Sequence, residues 1–370
     1  MTVPFWSSSF WLQLGLFSMA SIIGAVGLTM LVGTAGQLSL AHAFFVAIGA
    51  YGYAYLAGDP DAPGEISGLG LPPVVALVGA VLLAGLAGAA FSPIAGRLRG
   101  IYLGLASLGL VFIGQHVLVN VTSVTGGFNG RDAEPFRLLG FGFSNSDPDY
   151  LAVLGVEFEM LHRLWFLGLV LVAVAVVFAR NLVDSRQGRA WTLVRDSEPA
   201  AGSMGIGVTR AKATVFTVSS MYAGLGGVLM ALAFGRIVPE SFDLLLSIDF
   251  LVMIVIGGVG SVGGAAAGAV FVTALPLVLD RYSGALPFLA ETGTTGFGAP
   301  HLSRVLYGLA IVCVLLFAPG GLAGIGARLG RARRGRSTPM GGEEGGAPSG
   351  ASQGEPTAPT VNRSVEETTP

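Results

Sequence analysis

Residues 163–180 read Arg-Leu-Trp-Phe-Leu-Gly-Leu-Val-Leu-Val-Ala-Val-Ala-Val-Val-Phe-Ala-Arg, with no charged side chain between the two arginines. A helical run of about 20 such residues is long enough to cross the hydrocarbon core of a bilayer. Comparable runs recur at roughly 10–32, 38–57, 72–95, 101–120, 212–234, 247–262, 264–280 and 303–318. Only helices and closed barrels satisfy their backbone polar groups in lipid, and apolar runs of this length select helices. The expected fold is therefore an all-α integral membrane protein, a polytopic helical bundle of about nine spans.

Composition agrees. The 370 residues are 52% hydrophobic and only 11% charged, with 57 Gly. Mean hydropathy is +0.72. Soluble domains carry about 25% charged residues, so an ordinary soluble enzyme is excluded. A disordered chain is excluded too, since it needs low hydrophobicity and high charge. A net charge of −2 gives no basic face for nucleic acid. Cys313 is the single cysteine, which rules out an internal disulfide or a cysteine metal cluster, and four scattered His offer no catalytic zinc site. Lys212 is the single lysine and lies in Ala211-Lys212-Ala213. A phosphate loop needs Gly-Lys-Ser/Thr, so this chain has no Walker A site. No cofactor and no catalytic residue are expected here. If ATP drives the protein, partner subunits bind it.

Arginine placement sets the expected direction. Thirteen Arg and Lys fall in one set of loops, at 97–99, 180–212 and 328–336. Six fall in the other: Arg131, Arg137, Arg163, Arg236, Arg281 and Arg304. The richer set is expected in the cytoplasm of a bacterial cell. An odd span count then puts the N-terminus outside and the C-terminus inside. Met1 to Phe10 has no basic residue, so no cleaved signal peptide is expected. Residues 1–330 form the expected transmembrane domain, and 331–370, rich in Gly, Pro, Ser, Thr and Glu, a disordered cytoplasmic tail. Gly96, Gly100 and Gly104, and again Gly260, Gly264 and Gly268, form small-residue faces suited to close helix packing.

Two glycine-rich stretches interrupt the apolar pattern. One is Gly33-Thr34-Ala35-Gly36-Gln37-Leu38-Ser39 and the other runs from Gly257 to Gly264. Paired breaks of this kind in two halves of a chain point to a transport pathway, since irregular backbone at membrane depth must line protein or water. Two tight cytoplasmic turns are the other reading. Six crossings separate the stretches, so both fall on the same side. The pathway candidates are Gly36, Gln37, Ser39, His42, Gly257, Gly258, Gly260 and Ser261, with the intramembrane polar residues Gln115 and His116. No chain of Asp and Glu crosses the spans.

The loop at 181–211 is the most specific segment. Asp196 or Ser197 can cap a helix, Glu198 and Pro199 suit its first turn, and Gly205 can end it. Ala200, Ala201 and Met204 give the helix a small apolar face, a knob for a partner's groove. From the residues alone, an importer worked by separate ATPases and an ion- or proton-coupled carrier both remain, but only the first uses the capped loop.

That loop resembles the Glu-Ala-Ala…Gly coupling loop of ABC importer permeases. Ser185-Arg186-Gln187-Gly188-Arg189, Arg195-Asp196, Ala200-Ala201, Gly205-Ile206 and Thr209-Arg210 resemble the branched-chain amino acid permeases of the LivM type. So do Thr34–Leu40, Gly49-Ala50-Tyr51, Arg97–Tyr102, Thr125–Gly130, and the block from Pro239-Glu240-Ser241-Phe242 to Ser261. The resemblance runs over about residues 20–320. It implies an importer of branched-chain amino acids, or of a related small polar substrate such as urea or an amide. It implies a second permease subunit, two cytoplasmic ATPase subunits and an extracytoplasmic substrate-binding protein. It also implies that Ser197, Glu198, Ala200, Ala201 and Gly205 form the ATPase-coupling element. Where relatives often carry Glu and Arg, this chain has Phe112 and Gln115.

Overall fold

A computed structural model describes residues 9–60, 67–98, 100–138, 141–143, 152–153, 156–157, 160–282, 299–317 and 320–324. The expected tail at 331–370 lies outside the described residues. Helices α1 (Ser9–Thr29), α2 (His42–Ala57), α3 (Pro73–Arg97), α4 (Ile101–Asn120) and the single turn α5 (Thr122–Thr125) come first. Then follow α6 (Met160–Asp184), α7 (Arg186–Asp196), α8 (Glu198–Ser203), α9 (Val208–Phe234), α10 (Leu244–Gly257), α11 (Val262–Arg281) and α12 (Ala299–Phe317). Among the described residues, six helices are long and apolar enough to cross a membrane: α1 with its continuation to Thr34, α3, α4, α6, α9 and α11. The helices α2 and α10 and the apolar part of α12 are shorter. Two-residue antiparallel ladders supplement the helices in the loops, at Arg137–Leu138 with Phe141–Gly142 and at Ala152–Val153 with Val156–Glu157.

Helix limits follow local chemistry. Pro73 opens α3, where its missing N–H costs nothing. The Asp243 carboxylate accepts from Leu246 N at 3.1 Å and caps α10. The Ser261 hydroxyl accepts from Gly264 N at 3.1 Å and caps α11. Helices α1 and α9 are buried over most of their length, whereas α6 has few buried residues. On α6 the outward residues Val170, Val174, Val177 and Phe178 share one helical face and are all apolar. The bundle is thus built around two central helices and dressed with apolar side chains that suit lipid.

Glycine lets the central helices touch. A Cβ on Gly49 of α2 would overlap the backbone of Gly224 on α9, and one on Gly257 of α10 would overlap Gly264 on α11. Van der Waals contact is the main attraction between helices in lipid, so such close approach is where packing energy is gained. The Gly264–Gly268 face packs on α10 within this chain. Gly100 differs from expectation: it precedes α4 with φ +55, and a Cβ there would meet nothing within 4 Å.

The loop ends assemble on two sides. On one side Arg131–Asp132 pairs antiparallel with Arg236–Ile237. Arg131 is buried there. Its guanidinium donates to the carbonyls of Ala54 (3.0 Å), Val124 (2.9 Å) and Ser67 (3.0 Å), and stacks over Tyr55. Burial lowers its pKa from the ordinary arginine value. The opposite side carries α7, α8 and the glycine breaks.

The packing argument predicts an asymmetry. Gly49→Val forces α2 from α9 and should lower the melting temperature of the solubilised protein, at a cost of about 1–3 kcal/mol. Gly109→Val, whose Cβ meets nothing within 4 Å, should melt close to the parent.

Candidate functional site

The loop between α6 and α9 is two helices rather than one. Ser185 accepts from Gln187 N (3.2 Å) and Gly188 N (3.4 Å) and so starts α7. Trp191 is wholly buried, and its indole N–H donates to Thr214 Oγ1 on α9 at 3.1 Å. This fixes α7 to the central helix. Ser197, not Asp196, caps α8, accepting from Ala200 N at 3.4 Å. Gly205 follows at φ +81, in the left-handed region that a side chain disfavours.

The first turn of α8 is tied to α9 by charge. Glu198 Oε1 lies 2.6 Å from Lys212 Nζ, and the Lys212 side chain is only 4% exposed. Removing one member of a buried pair strands the other, so the contact fixes where α8 sits. Ala201 is buried and faces the chain's own interior, which corrects the expected outward face. Ala200, Gly202 and Met204 are exposed, with Met204 at 70%. They form the small apolar knob.

Beside this loop the two glycine stretches meet. The end of α1 widens into a π-helix, Met30–Thr34. The chain then bonds back through Gly36 N to Val32 O (3.1 Å) and Gln37 N to Leu31 O (3.1 Å), with Gly36 at φ +66. A Cβ on Gly33 would overlap the backbone of Gly260, and Gly260 N donates to Thr29 Oγ1 at 3.1 Å. Gly258 and Gly260 both have positive φ, and Gly258 abuts Gly320 and Gly321. Arg195, in the last turn of α7, donates from Nη1 to Gly33 O at 2.7 Å.

Gln37, Ser39 and His42 are all buried next to this junction along the chain. Both amide atoms of Gln37 and Nε2 of His42 lack a hydrogen-bond partner. A buried amide without a partner costs about 1–3 kcal/mol. The His42 ring meets Phe250 of α10 edge-on at 4.6 Å. Gln115 and His116 do not join this group. They lie toward the far end of α4, where Gln115 Nε2 donates to Pro239 O at 2.9 Å. His116 is exposed and its carbonyl accepts from Asn120 Nδ2 at 2.7 Å.

The Glu198–Lys212 pair gives a stability test. Lys212→Met should lower the melting temperature of the solubilised protein, with a cost of about 3 kcal/mol. The double variant Lys212→Met/Glu198→Met should recover most of the loss, because no charge is left unpaired.

The family model described as branched-chain amino acid transport system / permease component matches residues 11–315. The high-affinity branched-chain amino acid transport permease protein LivM of Salmonella typhimurium is 36% identical over 287 residues, covering 75% of this chain and 64% of that protein. LivM of Escherichia coli K12 is 34% identical over 287 residues with the same coverage. BraD of Pseudomonas aeruginosa is 27% identical over 310 residues, covering 81% of this chain and 90% of that protein. This chain thus spans about 64% of the length of the two LivM relatives. No solved structure matches it significantly. With the match running from α1 into α12, the chain belongs to the branched-chain amino acid transport permease family.

Proposed function

We propose that this chain is a transmembrane permease subunit of an ABC-type importer, carrying branched-chain amino acids or a related small polar substrate into the cytoplasm. The observation that carries the reading is α8: a short capped helix, pinned to α9 by Glu198–Lys212, with an exposed knob at Ala200 and Met204. The family match supports it. The partners are a second permease subunit, two cytoplasmic ATPase subunits that bind the ATP, and an extracytoplasmic substrate-binding protein. The chain crosses the membrane nine times, with α2, α10 and α12 as the shorter crossings. Its N-terminus is outside and α7, α8 and the C-terminal tail are in the cytoplasm.

In the cycle, closure of the ATPase pair presses on α8 around Ser197–Gly205. Because α8 is fixed to α9, the push tilts the central helices and exchanges outside for inside access. Alternating access needs only that ATP favour one of the two states. The polar stretch Gly36, Gln37, Ser39 and His42, with Gly257, Gly258, Gly260 and Ser261, borders the route. The binding protein supplies selectivity, so a tight site within the bundle is unnecessary.

Uptake of labelled leucine into proteoliposomes holding the assembled complex tests this. Uptake should require ATP on the ATPase side and persist without a proton gradient. Ala200→Asp buries a charge in the partner's groove, and Gly205→Val places a β-branched residue at φ +81, a strain of about 1–2 kcal/mol. Both should abolish ATP-driven uptake at normal protein level. Uptake driven by a proton gradient without ATPase subunits would overturn the reading.

A further inference from the structure

Arg195 occupies a position that the importer reading does not by itself require. It lies in the last turn of α7, two residues before the Ser197 cap of α8. Its Nε and Nη2 both donate to Asp196 Oδ1 at 3.0 Å, an ion pair at the surface that fixes the plane of the guanidinium. The remaining Nη1 reaches 162 residues back along the chain to Gly33 O. Its aliphatic stem lies on Gly36, where a Cβ would come within 2.7 Å of Arg195 Cγ. One side chain therefore holds both sides of the π-helical end of α1.

That end is a poised element. A π-helical turn holds one residue more than an α-helical one, and such turns recur at functional sites. The last carbonyls of any helix also need outside partners, and Arg195 supplies one with a charge-assisted bond. The π-turn is linked in turn to the α10–α11 connection. Gly33 lies against Gly260, and Thr29 Oγ1 accepts from Gly260 N. Gly258 and Gly260 have positive φ, so that connection has few side chains to resist rotation.

We propose that Arg195 is the positioning residue that transmits displacement of α8 to the π-helical end of α1 and, through Thr29 and Gly260, to the turn between α10 and α11. This deepens the importer reading and rests on it. When α7 and α8 move together, Arg195 draws Gly33 with them. The Gly33–Gly260 contact then shifts, and both glycine breaks change at once, beside the buried Gln37. The alternative of an ordinary surface arginine leaves the Gly33 bond and the Gly36 stacking unexplained.

The test is uptake per ATP hydrolysed in proteoliposomes of the assembled importer. Arg195→Gln should lower that ratio about tenfold, the effect of losing one charge-assisted hydrogen bond. Arg195→Lys, which retains one cationic donor, should recover most of it. Thr29→Val should also lower the ratio. The double variant Arg195→Gln/Thr29→Val should be no worse than Arg195→Gln, since both act in one chain of contacts. An unchanged ratio in Arg195→Gln overturns the proposal. So do losses that multiply in the double variant, or failure of Arg195→Gln and Arg195→Lys alike to assemble. Gly205→Val separates the two levels. If it uncouples while Arg195→Gln does not, only the relay fails. If Gly205→Val takes up substrate normally, the coupling reading of α8 fails with it.

Discussion

A hydrocarbon core offers no hydrogen bond, so every backbone group in this bundle that leaves helical geometry must find its partner inside the protein. The structure is arranged around that constraint. The helix breaks after Thr34 and after Gly257 are not left to lipid. They are laid against one another, with Gly260 N bonded to Thr29 Oγ1 and Gly33 O bonded to Arg195. Only glycine allows that approach, because a Cβ on Gly33 would occupy the backbone of Gly260. Arg195 brings α7 to the same junction through its bond to Gly33 O.

Among the described residues, six of the nine expected spans reappear as helices long and apolar enough to cross a membrane, because hydropathy records what lipid requires; the other three are shorter apolar helices. Runs such as 163–180 need no tertiary information, and the structure lengthens that one only to Met160–Asp184. The glycine breaks were legible for the same reason, as departures from an otherwise continuous pattern. What hydropathy could not separate was α7. Its Arg186, Gln187, Arg189, Arg195 and Asp196 read as loop, although Ser185 as a cap and Trp191 with Val194 as a buried face were signals of a helix.

Partners distant in sequence were the harder part. Nothing in the spacing of Arg195 points to Gly33, and nothing around Lys212 points to Glu198 beyond their opposite charge. Arg131 was counted among loop charges, yet it is buried with three carbonyls. Ala201 was assigned to the exposed face of α8, but a helix of six residues gives too little periodicity to fix which side faces in. Gln115 and His116 were grouped with the pathway because they interrupt an apolar run. The fold sets them toward the far end of α4 instead, one bonded to Pro239 O and the other exposed.

The central claim is that α8 is the surface on which the ATPase acts. A cross-linking measurement addresses it without relying on activity. In a Cys313→Ser background, Met204→Cys and Asp132→Cys place single thiols at the two opposite ends of the bundle, both at exposed residues. A short bismaleimide applied to the assembled complex should join Met204→Cys to an ATPase subunit and leave Asp132→Cys unjoined to it. Cross-linking from Asp132→Cys, with none from Met204→Cys, would contradict the account.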